Sequence, residues 1–217
     1  MMSGILSPTI NKSSLVLLAL CVLVLTAGRF SSFSVESGEQ ELDLGTGVTT
    51  MPRGGVLVDN KNNLRLEGSY IQFKQEEFIR ARNATLRGSE GTFYASSLEY
   101  VFHGEQLKLS GVRYSSSNVR GLSSASGLGL LAESVVVLKG NVRSQDPQLE
   151  ANTLVIDTAR SQALVLGSFS YRDSQSSFRG QREDSTLLID FRGSRTTATT
   201  KVPADVLSRL RSYASKL

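Results

Sequence analysis

The sequence predicts an all-β protein. Apolar residues recur at every second position from Val56 to about residue 192, the period that turns one face of a strand inward. Clusters of Gly, Asn, Asp and Ser separate them, as turns between short strands require. The 217 residues include 19 Gly and only 4 Pro and are 40% hydrophobic. Such a composition supports a buried core and argues against disorder of the bulk.

Residues 1–30 read differently. Leu15 to Ala27 is LVLLALCVLVLTA, within an uncharged run from Ser13 to Gly28, with Lys12 before it and Arg29 after it. This is a membrane anchor or signal segment. It is short for a bilayer span, which takes about 20 apolar residues, and close to the apolar region of a signal peptide. Two fates therefore stand open. Thr26 and Gly28 suit the small positions before a cleavage site, whereas retention as an anchor has Lys12 and Arg29 snorkelling and Phe30 and Phe33 at the interface. Cys21 follows Leu18-Ala19-Leu20, a poor lipobox because Leu20 is not small and the apolar run continues. As the only cysteine, it allows no intramolecular disulfide and no cysteine-based metal site. Either fate delivers the rest of the chain to the far side of a membrane.

Residues 31–55 are rich in Ser, Gly, Thr and acidic side chains and read as a polar spacer. The β-domain is expected over 56–202, with ten or so short strands. Its apolar alternation runs through Leu64/Leu66, Leu98/Tyr100/Phe102, Leu107/Leu109, Val135/Val137, Leu154/Ile156, Ala163/Val165, Phe169/Tyr171 and Leu187/Ile189/Phe191. A weak internal repeat underlies it. Ala95-Ser-Ser-Leu98-Glu-Tyr100, then Leu107-Lys-Leu109-Ser-Gly111, superposes without a gap on Ala151-Asn-Thr-Leu154-Val-Ile156, then Ala163-Leu-Val165-Leu-Gly167. Each copy reads as a strand, a turn and a return strand broken at a glycine. One copy cannot cover its own apolar face, so copies are expected to stack into an elongated sheet with a continuous apolar inside.

In residues 203–217 the period changes to that of a helix. Val206, Leu207, Leu210, Tyr213 and Leu217 share one helical face, away from Arg209, Arg211 and Lys216. This predicts a short amphipathic helix docked on one end of the sheets, or else a contact for a partner or an acidic membrane.

Catalytic signatures are scarce. His103 is the only histidine and precedes Gly104 in a turn, which excludes a multi-histidine metal site and leaves a triad little to rest on. There is no nucleophile elbow or phosphate loop, and Gly127-Leu-Gly129 is too short for a dinucleotide fingerprint. Glu76/Glu77 and Glu183/Asp184 are neighbours, so in strands they point to opposite faces and make poor acid/base partners. The net charge of +4 and pI near 9.3 permit contact with phosphate-bearing partners. However, Tyr70, Phe73, Tyr100, Phe102, Tyr171 and Phe191 lie in or beside the apolar alternation, so the aromatics read as interior and not as a nucleic-acid surface. No enzyme and no cofactor are expected.

Val137-Leu-Lys-Gly-Asn-Val-Arg143, followed by Leu149-Glu-Ala-Asn-Thr-Leu-Val-Ile-Asp157 and Ala163-Leu-Val-Leu-Gly167, resembles the LptC/LptA (OstA-like) lipopolysaccharide transport family. The resemblance covers about two-thirds of the chain. It implies a twisted, open β-jellyroll whose inward apolar residues hold lipopolysaccharide acyl chains on their way to the outer membrane. The corresponding residues here are Leu98, Tyr100, Phe102, Leu107, Leu109, Val135, Val137, Leu154, Ile156, Val165 and Phe169. The length and N-terminal segment resemble the LptC type, which implies a periplasmic domain on an inner-membrane anchor. The partners so implied are lipopolysaccharide or a similar lipid, an inner-membrane lipid exporter complex and an OstA-like bridge protein joined by strand addition. The competing expectation is a structural or adhesive β-repeat protein with a filled interior.

Overall fold

The computed structural model describes residues 33–88, 91–115, 121–192 and 196–217. The apolar segment before Phe33 lies outside the described residues, among which no helix is long and apolar enough to cross a membrane. Sixteen strands and one helix are described. Six short strands come first: β1 (Ser34–Ser37), β2 (Glu41–Asp43), β3 (Val48–Met51), β4 (Gly55–Asp59), β5 (Leu64–Gly68) and β6 (Tyr70–Lys74). Seven long ones come next: β7 (Phe78–Gly88), β8 (Gly91–Val101), β9 (Gln106–Ser115), β10 (Leu122–Leu130), β11 (Val135–Gln145), β12 (Gln148–Asp157) and β13 (Gln162–Arg172). The chain closes with β14 (Ser177–Gly180), β15 (Thr186–Asp190), β16 (Thr197–Thr199) and the helix α1 (Ala204–Ala214).

All the strands join one antiparallel sheet. Its long strands are each interrupted near the middle, and the interruptions fall side by side. Asn83, Gly111, Asn141 and Gly167 take positive φ there, and pairing shifts register between β10 and β11, β11 and β12, and β12 and β13. Aligned irregularities bend every strand at the same level, so the sheet folds over along a crease. A methyl group on Gly111, whose φ is 58°, would lie 2.7 Å from Ser96 Oγ, and one on Gly167 3.3 Å from Asn152. The repeat in the sequence is this crease. Ala95 and Ala151 reach it from one strand, and Gly111 and Gly167 from the next.

The crease divides the sheet into two halves. One contains β2, β3 and β6, the half of each long strand on their side, then β15 and β16. The other contains β1, β4 and β5, the remaining halves, and β14. Turns of the first half stack on one another. Phe102 N–H donates to Glu77 O (3.0 Å), Leu131 to Glu105 (3.0 Å), Thr158 to Ser134 (2.9 Å) and Phe191 to Ser161 (3.0 Å). Inner side chains of both halves belong to a single buried cluster.

The stretch 31–55, expected to be a polar spacer, carries β1 to β3. β1 and β2 are edge strands, β2 being exposed throughout, and β3 lies between β2 and β6 with one buried residue, so their sequences look like linker. Met51 is fully buried in the core, and Val35 packs part-buried against it. Phe33, expected at a membrane interface, instead packs edge-on against Phe73, with ring centroids 5.1 Å apart.

The predicted C-terminal helix forms, but it lies on the outer face of the first half, over β11, β12 and β13, and not at an end of the sheet. Val206 and Leu210 are buried there, with Leu207, Tyr213 and Leu217 packed beside them. Beneath them lie Leu128, Leu130, Val135, Val137, Val155, Leu164 and Leu188. We call the halves the helix-covered half and the bare half.

Candidate functional site

The interior between the halves is the site the sequence points to. Leu98, Tyr100, Leu107, Leu109, Leu154, Ile156 and Val165 line it from the helix-covered half, and Phe169 from the bare half. None of these eight is more than 5% exposed. Phe102 sits at a turn, half-buried, with its ring 4.8 Å from that of Tyr100. Tyr70 faces outward, not inward, with the Arg82 guanidinium 5.0 Å from its ring.

Val135 and Val137 do not join this group. They face the opposite way, into the second cluster beneath α1, and the interior residues of β11 are Val136 and Leu138. Residues 135–138 are all buried, so strict alternation cannot tell the two faces apart. A continuous apolar run signals a strand covered on both sides, and Leu154-Val-Ile156 and Ala163-Leu-Val165 carry the same signal. Alternation also passes over Phe93, Val112, Tyr114, Val142 and Leu149, which line the interior from the bare half.

On β10 the inner positions are Gly127 and Gly129, paired with Leu109 and Leu107 on one side and Leu138 and Val136 on the other. A methyl group on Gly127 would come within 3.3 Å of Leu138 and 3.4 Å of Leu109 and Val112. The neighbours thus fill the space that Gly127 leaves bare. The interior expected to hold open space is closed by its own side chains in this state.

Tyr100, Tyr114 and Tyr171 bring buried hydroxyls to the interior. Burial, reinforced by the charge of Glu105, pushes the Tyr100 hydroxyl up to about 12. Burial raises Tyr171 as well, aided by its hydrogen bond to Asp173 Oδ2 (2.7 Å). Burial works to raise Asp173, but donation from the Tyr171 hydroxyl, the backbone N–H groups of Gln175 and Ser176 and the Ser176 hydroxyl outweighs it. The carboxyl ends below its ordinary range.

The interior opens to no strand pairing along the side away from the crease. There, among the described residues, no strand pairing ties one half to the other. Among the described residues these edges are also unpaired, since β14 bonds only β13, and β16 only β15.

The outer surfaces differ. A cleft of about 490 Å³ on the helix-covered half is bordered by Tyr70, Arg80, Arg82, Glu99, Lys108 and Leu217. Beyond it α1 is latched by Arg209, which donates to buried Asp157 and, at 3.1 Å, to Gln162 Oε1. Arg160 also donates to Asp157 (3.2 Å), and Lys139 Nζ reaches the Leu217 carbonyl at 2.9 Å. Near the crease on the bare half, a cleft of about 520 Å³ is lined by polar side chains that include Asn141, Arg143, Glu150, Asn152 and Arg179. No cluster of metal-ligating side chains occurs among the described residues.

No protein-family model matches the chain. No curated protein matches it either. Among solved structures the chain is similar to LptH, the LptA-homologous periplasmic component of the lipopolysaccharide transport device of Pseudomonas aeruginosa. The identity is 14%, the alignment covers 77% of this chain and 94% of that one, and the TM-score is 0.37. That superposition is loose, so the functional reading rests on this chain's own residues.

Proposed function

We propose that the chain is an OstA-like lipid-transfer component of LptC type, held by its N-terminal segment to the inner membrane with its sheet in the periplasm. It accepts acyl chains of a lipopolysaccharide-type lipid between the two halves and passes them to a neighbouring bridge protein. One observation carries this reading: an apolar inner face that continues across the folded sheet, from Leu57 on β4 to Ile189 on β15, with a long side that no strand pairing closes among the described residues. Because the side chains fill one another's space at rest, a guest enters by parting the two halves along that side. Burial returns about 0.8 kcal/mol per methylene, so a twelve-carbon chain gains on the order of 9 kcal/mol against that opening. The unpaired edges at β14 and β16 offer backbone groups for strand addition by a bridge protein, and the inner-membrane exporter is the source from which the lipid arrives.

A second reading is a structural β-repeat protein, favoured by the closure of the interior: Leu154, Ile156 and Val165 are all fully buried. Photo-crosslinking separates the two. Benzoylphenylalanine at Tyr100, Leu109, Ile156 or Val165 of the full chain is expected to capture acyl lipid in cells. At Val137, beneath α1, it is expected to capture none. Equal yields at all five positions, or none at the interior four, rejects transfer and leaves the structural reading.

A further inference from the structure

We propose that the outer face of the bare half docks flat on an anionic bilayer surface. Outward positions of its strands carry Arg65, Arg87, Arg113, Arg143, Arg172 and Arg179 against Glu36, Glu67 and Glu150. Two of these arginines meet a carboxylate, Arg65 with Glu36 and Arg143 with Glu150 at 4.0 Å. Arg113 lies 4.3 Å from the Tyr94 ring centroid. Arg87, Arg172 and Arg179 form no ion pair among the described residues. The register sets Arg113, Ser123, Arg143, Glu150, Ser170 and Arg179 side by side across five strands and the edge strand β14, so short serines lie between the guanidinium groups and leave them free to reach a plane.

Covalent continuity selects a bilayer over a soluble polyanion as the occupant. The edge strand β1 belongs to this half and pairs with β4. Ser34, its first residue, follows Gly28, the last of the uncharged run, by six positions, a reach of at most about 21 Å. An inserted segment therefore holds this half within reach of the headgroups. The helix-covered half starts its strands later and gives the part of its outer face over β11 to β13 to α1. Guanidinium groups pair well with lipid phosphates, and each basic residue near an anionic surface is worth roughly fivefold in partitioning. The inference shares with the proposed function the membrane insertion of residues 15–27 and is independent of any acyl chain in the interior.

The test uses the full chain with Cys21→Ala, reconstituted in nanodiscs containing spin-labelled headgroups. A fluorophore is placed on the same strand either at Thr92→Cys, on the bare outer face, or at Ser97→Cys, on the helix-covered outer face; both sites are exposed. Phosphatidylglycerol-rich discs are expected to quench residue 92 and not residue 97. The quenching is expected to disappear in phosphatidylcholine discs and in molar salt, and the triple variant Arg87→Gln, Arg113→Gln, Arg179→Gln is expected to lower the docked-to-free ratio about a hundredfold. Should the triple variant melt early, Arg179→Gln alone, on the edge strand, is expected to lower it about fivefold. Equal quenching at both labels, quenching in phosphatidylcholine, quenching in detergent through self-association, or failure of the chain to enter discs each overturns the inference. Failure to enter discs also removes the anchor of the proposed function, whereas the quenching results leave the crosslinking from the interior untouched, so on those the two proposals fail separately.

Discussion

The two halves of the folded sheet share an interior and part company on the outside. Along β12, Leu154 and Ile156 face the core in the helix-covered half, as Leu149 and Ala151 do in the bare half. Their outward neighbours differ: Val155 is fully buried under α1, while Glu150 stands in water opposite Arg143. A single strand is thus covered on both sides at one end and on one side at the other. The outer layer has been specialised without altering the inner one, and the alternation that builds the interior says little about what either outer face does.

The largest effect should come from reversing the outward chemistry at the two ends of β12. Val155→Lys puts a charge beneath α1 with no partner and is expected to cost about 3 kcal/mol or more. Glu150→Lys, on the bare face, should stay within about 0.5 kcal/mol. Chemical denaturation of both variants measures the difference, and similar midpoints would show that the helix covers nothing of consequence.

Next in size is the latch. Arg209→Ala leaves Asp157, 1% exposed, with only Arg160 as a cationic partner, and is expected to destabilise by about 2–3 kcal/mol. Hydrogen exchange should show the loss concentrated in α1 and the strands beneath it, with β4 and β5 unaffected. Gly111→Ala is expected to cost less, about 1–2 kcal/mol, because a positive φ and the approach of Ser96 both oppose the added carbon. That loss should spread over both halves, since the crease belongs to both.

The residues explain why some of this is legible in the sequence and some is not. Leu98, Leu109 and Phe169 stand out because their strand neighbours are polar. The repeat is visible for a related reason, since the crease needs small or left-handed residues at Ala95, Gly111, Ala151 and Gly167. Val135 and Val137 read as interior because four apolar residues in a row leave the face undetermined, and the helix that settles it is more than sixty residues away in sequence. Strands β1 to β3 read as a spacer because three short strands that turn only Val35 and Met51 to the core have no periodicity to show. Interior filling has no sequence signal at all, for it depends on how Leu109, Leu138 and Val112 meet over Gly127.

The smallest predicted effect is a pH dependence confined to the interior. Tyr100 stays protonated up to about 12 in the fold, against roughly 10 for a free tyrosine. Its contribution is therefore complete below pH 10, where both states hold the proton. It declines as the pH rises from 10 towards 12, because the unfolded chain gives up the proton first. Tyr171 is raised as well and acts in the same direction. Asp173 works oppositely: its lowered carboxyl adds stability above the usual value near 4, lost as the pH falls through its folded value. Melting temperatures are expected to be flat between these limits and to fall beyond each. Tyr100→Phe should blunt only the alkaline fall, whereas Asp173→Asn should blunt the acid one and, by removing a carboxylate that helps hold the Tyr171 proton, also ease the alkaline one. A Tyr100→Phe profile identical to wild type above pH 10 would mean that the hydroxyl already reaches water, and hence that the interior is open near Phe102.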